Sequence, residues 1–194
     1  MAEKLIPTPS QTVGPFFHLG MARPEWGDLT RGNPEGERIA VEGQVLDADG
    51  APVPDAVVEL WQANAAGRYN HPDDRQQDKP LDPHFRGFGR VATDGEGRFR
   101  IVTIKPGPVP GRGNALQAPH INLALFARGL LKHLFTRIYF ADEPSNAGDP
   151  LLTSIEDETV RRTLLARRAE AGSPALYRFD IVLQGDNETA FLDI

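Results

Sequence analysis

Arg38-Ile39-Ala40-Val41-Glu42-Gly43-Gln44-Val45 is the stretch that decides the fold class. Ile39, Val41, Gly43 and Val45 alternate with Arg38, Ala40, Glu42 and Gln44, the period of two that turns one face to a core and the other to water. Turn chemistry follows at Asp47-Ala48-Asp49-Gly50, and Val57-Val58-Glu59-Leu60-Trp61-Gln62 reads as a second strand. Gly89–Thr93 and Arg98–Ile104 flank Asp94-Gly95-Glu96-Gly97, a hairpin signal. His120–Ala127 and His133–Ala141 form another pair around Arg128-Gly129. Tyr177, Phe179, Ile181 and Leu183 alternate near the end, before a turn at Gly185-Asp186-Asn187 and a last short strand to Ile194. Seven or eight such strands predict a mainly β chain, a β-sandwich of short mixed strands with Greek-key-like connections. One late helix is expected. Thr153 and Glu156 make a capping box, Arg161, Arg162, Arg167 and Arg168 follow, and Gly172 and Pro174 stop it.

Upstream, residues 1–37 carry Pro7, Pro9, Pro15, Pro24 and Pro34, and proline removes the N–H that a sheet needs. They read as a long, irregular N-terminal arm on a sandwich domain of residues 38–194. Phe16, Phe17, Leu19 and Trp26 are costly to leave in water, so the arm is expected to wrap a partner or line a site. Residues 63–86 and 105–113 read as two long loops, rich in proline and glycine.

The chain has 194 residues, 40% apolar and 25% charged, which suits one domain with a core and excludes a disordered chain. Its 19 glycines and 17 prolines favour turns over a helical bundle. A net charge of −6 argues against binding to phosphate backbones, so no nucleic-acid partner is expected. The absence of cysteine removes thiolate nucleophiles, disulfides and cysteine-based metal sites. No apolar stretch approaches the roughly 20 residues of a membrane span. The N-terminus also lacks the apolar region of a secretory signal. No membrane association is expected, and a cytoplasmic location is.

No phosphate-loop, nucleophile-elbow or HExxH motif is present. The informative segment is His120-Ile121-Asn122. On a strand His120 and Asn122 share one face, while Ile121, Leu123 and Leu125 share the other. Two adjacent polar side chains on a core strand need hydrogen bonds, solvent or a ligand. An internally satisfied pair and a ligand site are both open at this point. His71-Pro72-Asp73-Asp74 reads as a solvated turn rather than a carboxylate metal site.

The ordered series Val41-Glu42-Gly43-Gln44-Val45, Val58-Glu59-Leu60-Trp61-Gln62-Ala63-Asn64, Gly67-Arg68-Tyr69, Thr103-Ile104-Lys105-Pro106-Gly107-Pro108, Ala118-Pro119-His120-Ile121 and Tyr177-Arg178-Phe179-Asp180-Ile181 resembles the intradiol ring-cleaving dioxygenases. Thr8-Pro9-Ser10-Gln11-Thr12-Val13-Gly14-Pro15 resembles the alpha subunits of the members that cleave protocatechuate. The resemblance implies a homologous beta subunit as partner in a higher-order αβ oligomer, with protocatechuate and O₂ as substrates. It also implies Fe³⁺ held by two tyrosines and two histidines. Tyr69 and His120 match one ligand of each kind. Val109 stands at the second tyrosine and Asn122 at the second histidine, and Gln117 replaces an arginine three residues before His120. The resemblance therefore implies a vestigial site here, no metal in this chain, and Fe³⁺ on the beta subunit. It further implies that Thr12, Gly14, Pro15 and Arg128 complete the partner's substrate pocket, although Arg128 also reads as a surface hairpin charge. Three rivals are weighed: a stand-alone module binding aromatic ligands, a site repurposed for Zn²⁺ or an anion, and a self-sufficient dioxygenase with an atypical metal.

Overall fold

The computed structural model describes residues 6–111, 113, 115–169, 172 and 174–193. Eleven strands follow one another: β1 (Arg38–Leu46), β2 (Val57–Trp61), β3 (Phe88–Ala92), β4 (Arg98–Ile104), β5 (Val109–Pro110), β6 (Leu116–Gln117), β7 (His120–Phe126), β8 (Leu134–Phe140), β9 (Leu165–Arg168), β10 (Ala175–Arg178) and β11 (Ile181–Val182). One layer is built on β1, which pairs antiparallel with β4 and parallel with β10 and β11. The other runs β3–β2–β7–β8, all antiparallel. Strand β9 joins them, parallel to β8 and antiparallel to β10, so the sandwich is almost a closed barrel.

The predicted alternation explains the core. Ile39, Val41 and Val45 of β1, Phe99 and Ile101 of β4 face Val58 and Leu60 of β2 and Ile121, Leu123 and Leu125 of β7, all buried. Each such side chain contributes about 1.5–3 kcal/mol by leaving water. Gly43 sits where β1 passes the link between β10 and β11: a Cβ there would lie 1.7 Å from the Phe179 carbonyl oxygen.

The single late helix is corrected. The segment forms two short helices, α2 (Pro150–Ser154) and α3 (Glu158–Arg162), and then strand β9. Thr153 is no cap: Asp149 accepts from the N–H groups of Leu151 and Leu152, and Asp157 accepts from those of Thr159 and Val160. Arg161 and Arg162 do lie in a last helical turn, whereas Arg167 and Arg168 belong to β9. The cause is tertiary. Tyr139 N–H donates to the Leu164 carbonyl at 2.8 Å and Ala141 N–H to that of Ala166 at 2.9 Å, so an otherwise open sheet edge captures these residues. Of the expected stop, Gly172 and Pro174 are described, and residues 170, 171 and 173 lie outside the described residues.

The arm is less irregular than its prolines suggest. It holds a helical turn, α1 (Phe17–Met21), and a 3₁₀ turn at Pro24–Gly27. Phe17 packs on Phe126 of β7 with ring centroids 5.5 Å apart, and the guanidiniums of Arg23 and Arg90 lie over Trp26. Phe16 and Leu19, expected to need cover, are 76% and 67% exposed. At the other end, the expected last strand is reduced to one bridge between Phe135 and Leu192.

Candidate functional site

The positions singled out on the strands converge. β7 and β2 place Asn122 opposite Trp61, and β7 and β8 place His120 opposite Tyr139 and Asn122 opposite Arg137. Val109 and Gln117 are paired across β5 and β6. Two glycines bring the Tyr69 loop to this corner. A Cβ on Gly67 would meet the Pro108 carbonyl oxygen at 2.0 Å, and one on Gly107 would meet that of Ala65 at 2.4 Å. Only glycine permits backbones to approach so closely, and Gly67 also has a positive φ of 80°. Asp74, in the loop read as a solvated turn, accepts from Tyr69 N–H at 2.7 Å and so fixes where the ring starts. The Tyr69 ring then stacks on Trp61 at 5.5 Å.

The centre of this cluster is a residue that the sequence reading did not single out. Arg137 donates from Nε to Asn122 Oδ1 at 2.9 Å, and from one Nη to Gln117 Oε1 at 2.6 Å and to the Tyr139 hydroxyl at 3.2 Å. Asn122 in turn donates to the Tyr69 hydroxyl at 3.3 Å and to the Trp61 carbonyl at 3.2 Å. The Tyr139 hydroxyl donates to Asp149 at 3.1 Å. Asp149, fully buried, also accepts from Ala118 N–H at 2.8 Å. A signal for Arg137 was available: an arginine inside the apolar strand Leu134–Phe140, directly across from Asn122.

Electrostatics follow from burial and that guanidinium. His120 is 3% exposed and its Nδ1 lies 2.7 Å from the Ala118 carbonyl, so Nδ1 carries the proton and the ring is neutral. Burial, reinforced by the charge of Arg137, pulls its pKa down to about 4. Burial raises Tyr69 above the ordinary phenol value despite the hydrogen bond from Asn122 and the nearby Arg137 charge. Both side chains are therefore uncharged at neutral pH.

These residues do not fit a ferric ion. Fe³⁺ is a hard cation that seeks anionic oxygen and imidazole donors. Val109 offers no donor atom, the one side-chain oxygen of Asn122 is taken by Arg137, and a permanent cation already stands in the cluster. Among the described residues no three His, Cys, Asp or Glu side chains gather in metal-binding range.

The second set of predicted residues meets at the other end of β7. Gly129 N–H donates to the Thr12 hydroxyl at 2.8 Å, which ties the arm to the β7–β8 turn across 117 residues. Arg128 pairs with Asp55 at 3.0 Å, and His18 approaches the same carboxylate at 3.6 Å. Gly14 and Pro15 follow in the exposed arm, and a Cβ on Gly14 would meet nothing within 4 Å. Asn122 and Arg128 are six positions apart, about 20 Å along an extended chain. The structure thus forms two clusters, one towards each end of β7.

Comparison with known proteins agrees with this architecture. A family model described as Dioxygenase matches residues 14–185. The chain is 42% identical to the protocatechuate 3,4-dioxygenase alpha chain of Pseudomonas putida over 100% of both chains. It is 44% identical to the protocatechuate 3,4-dioxygenase beta chain of Burkholderia cepacia, covering 93% of this chain and 77% of that one. The dioxygenase domain of a carbohydrate-binding fusion protein from Streptomyces sp. SirexAA-E superposes with a TM-score of 0.63 at 28% identity, over 95% of this chain and 100% of that domain. With the family model spanning residues 14–185, a relative 42% identical over its full length and the sandwich described above, the chain belongs to the intradiol ring-cleaving dioxygenase family.

Proposed function

We propose that this chain is the non-catalytic alpha subunit of a dioxygenase that inserts both atoms of O₂ into protocatechuate, opening the ring between its hydroxyls to give 3-carboxy-cis,cis-muconate. A homologous beta subunit holds Fe³⁺, and this chain completes the pocket around it. The observation that carries the reading is the occupant of the ligand cluster: Arg137 is bonded to Asn122, Gln117 and Tyr139 where a catalytic chain needs an open metal position. Identity alone does not separate the subunits, since chains named alpha and beta match at 42% and 44%. The residues at the ligand positions favour the alpha assignment.

A second observation supports a role at a partner's pocket. The arm is tied at Thr12 and Phe17 yet exposes Phe16, Leu19, Gly14 and Pro15 beside the Arg128 cation. Exposed apolar residues around a tethered, rigid backbone suit a surface that a second chain covers. A guanidinium at its rim attracts an anionic aromatic substrate.

Co-expression with a chain carrying the full set of two tyrosines and two histidines tests the proposal. The expected result is a stable complex with one iron per pair of chains and protocatechuate-cleaving activity. A red-brown, iron-loaded preparation of this chain alone overturns it. So does an active partner whose turnover and KM are unaffected by this chain.

A further inference from the structure

We propose that Arg137 has taken over the place of the metal's charge, so that the cluster around Tyr69 and His120 is a cation-excluding site rather than an iron site short of two ligands. The inference concerns this chain alone and does not depend on which partner or substrate it serves.

The argument is an inventory of donors and charges. A guanidinium is positive at any pH the fold tolerates. Its neighbours are the acceptors that such a group needs and a metal does not: two neutral amide oxygens, Asn122 Oδ1 and Gln117 Oε1, and the Tyr139 hydroxyl. The compensating anion is Asp149, reached through that hydroxyl, which accepts from Arg137 and donates to the carboxylate. The N–H groups of Leu151 and Leu152 share its Oδ1 with the Tyr139 hydroxyl, and Ala118 N–H donates to its Oδ2, which holds the carboxylate in place as that counter-charge. Asn122 faces Arg137 with its oxygen and Tyr69 with its nitrogen, so the Tyr69 oxygen also receives a proton donor. The side chains of Asn122, Gln117, Tyr139 and Asp149 are thus committed to one network with a cation at its centre. Asn122, Gln117 and Arg137 act as a set. A histidine at 122 would remove the amide oxygen that Nε uses, and an arginine at 117 would set a second cation beside the first.

Two reconstructed chains separate this from simple ligand loss. Val109→Tyr with Asn122→His restores the family's four donors and keeps Arg137, and the second chain adds Arg137→Gln. Each full-length chain is purified without any iron-bearing partner, checked for a cooperative heat transition, and titrated with ferric citrate. Iron content and the visible tyrosinate-to-iron charge-transfer band are read. The expected result is that the chain with Arg137→Gln binds Fe³⁺ and colours, while the chain that keeps Arg137 binds it at least about tenfold more weakly, the effect of a like charge a few ångströms away. Equal loading of the two overturns the proposal, and so does failure of both folded chains to load. If the reconstructed chains do not fold, the native chain and Arg137→Gln alone are titrated in the same way. Tighter ferric binding by the single variant supports the cation-exclusion reading, and unchanged binding overturns it.

Discussion

Asn122 Nδ2 donates to the Tyr69 hydroxyl at 3.3 Å, a neutral contact between two positions where the family resemblance implies a histidine and a tyrosine ligand. The two residues come from β7 and from a loop 53 positions earlier, and both have a further anchor: Arg137 for Asn122 and the Trp61 ring for Tyr69. A contact of this kind contributes to stability and moves no electrons.

Tyr69→Phe should therefore lower stability by about 0.5–1.5 kcal/mol, the value of one such hydrogen bond. Turnover by the assembled enzyme should stay within about twofold of the native rate, less than 0.5 kcal/mol in barrier. Heat denaturation and steady-state rates measure the two effects separately, and a large loss of kcat with normal assembly would contradict the vestigial assignment.

His120 gives stability a pH dependence. Unfolded, the imidazole takes up a proton near its ordinary 6.5, and folded it does so only near 4, because it is buried and faces Arg137, with Tyr139 and Asp149 on its other side. Between those values the unfolded state binds more protons, so stability rises with pH. The contribution is complete above pH 6.5 and is lost as pH falls to 4, on the order of 3 kcal/mol. Chemical denaturation from pH 4 to 7 should show a shallower slope in His120→Gln than in the native chain, and identical slopes would refute the assignment.

Gly14→Val tests the arm. An added Cβ meets nothing within 4 Å in this chain, so the melting temperature should hardly move. If the arm lines the partner's pocket, KM for protocatechuate in the assembled enzyme should rise roughly tenfold, equivalent to about 1.4 kcal/mol. Deletion of residues 1–15, which removes the Thr12 hydroxyl from Gly129 N–H, should lower activity further. An unchanged KM in both variants would remove Thr12, Gly14 and Pro15 from the pocket.

The seam at β9 makes a purely structural prediction. Leu164 is fully buried against Ala118, Tyr139 and Leu152, beneath the ligand cluster. Leu164→Ala should cost about 2–5 kcal/mol through the cavity it leaves. The exposed Arg167→Ala, three residues further on in β9, should cost less than about 0.5 kcal/mol. Comparable losses at the two positions would mean that the segment is not held as a strand.

How much of this was legible beforehand depends on whether the cause is local. The period of two along Arg38–Val45, Arg98–Ile104 and His120–Phe126 fixes which residues face the core, because a strand in a sandwich has one dry face and one wet one. The ligand positions were equally legible: Tyr69, Val109, Gln117, His120 and Asn122 lie in one corner, as their spacing within the family pattern implies. Long-range pairing decided the rest. Leu165-Ala166-Arg167-Arg168 has good helix formers, yet the open edges of β8 and β10 offer hydrogen bonds that a surface helix cannot match, and the segment becomes the strand that joins the layers. Arg137 carries no meaning until β7 and β8 pair in a register that sets it opposite Asn122. Thr12 and Gly129 likewise meet only because the Phe17 ring docks on Phe126. Sequence alone determined the faces of the strands and which residues stand at the ligand positions that the family resemblance implies, since each depends on near neighbours. The seam, the cation in the cluster and the fastening of the arm were decided by tertiary structure, because each needs groups far apart in the chain to satisfy one another.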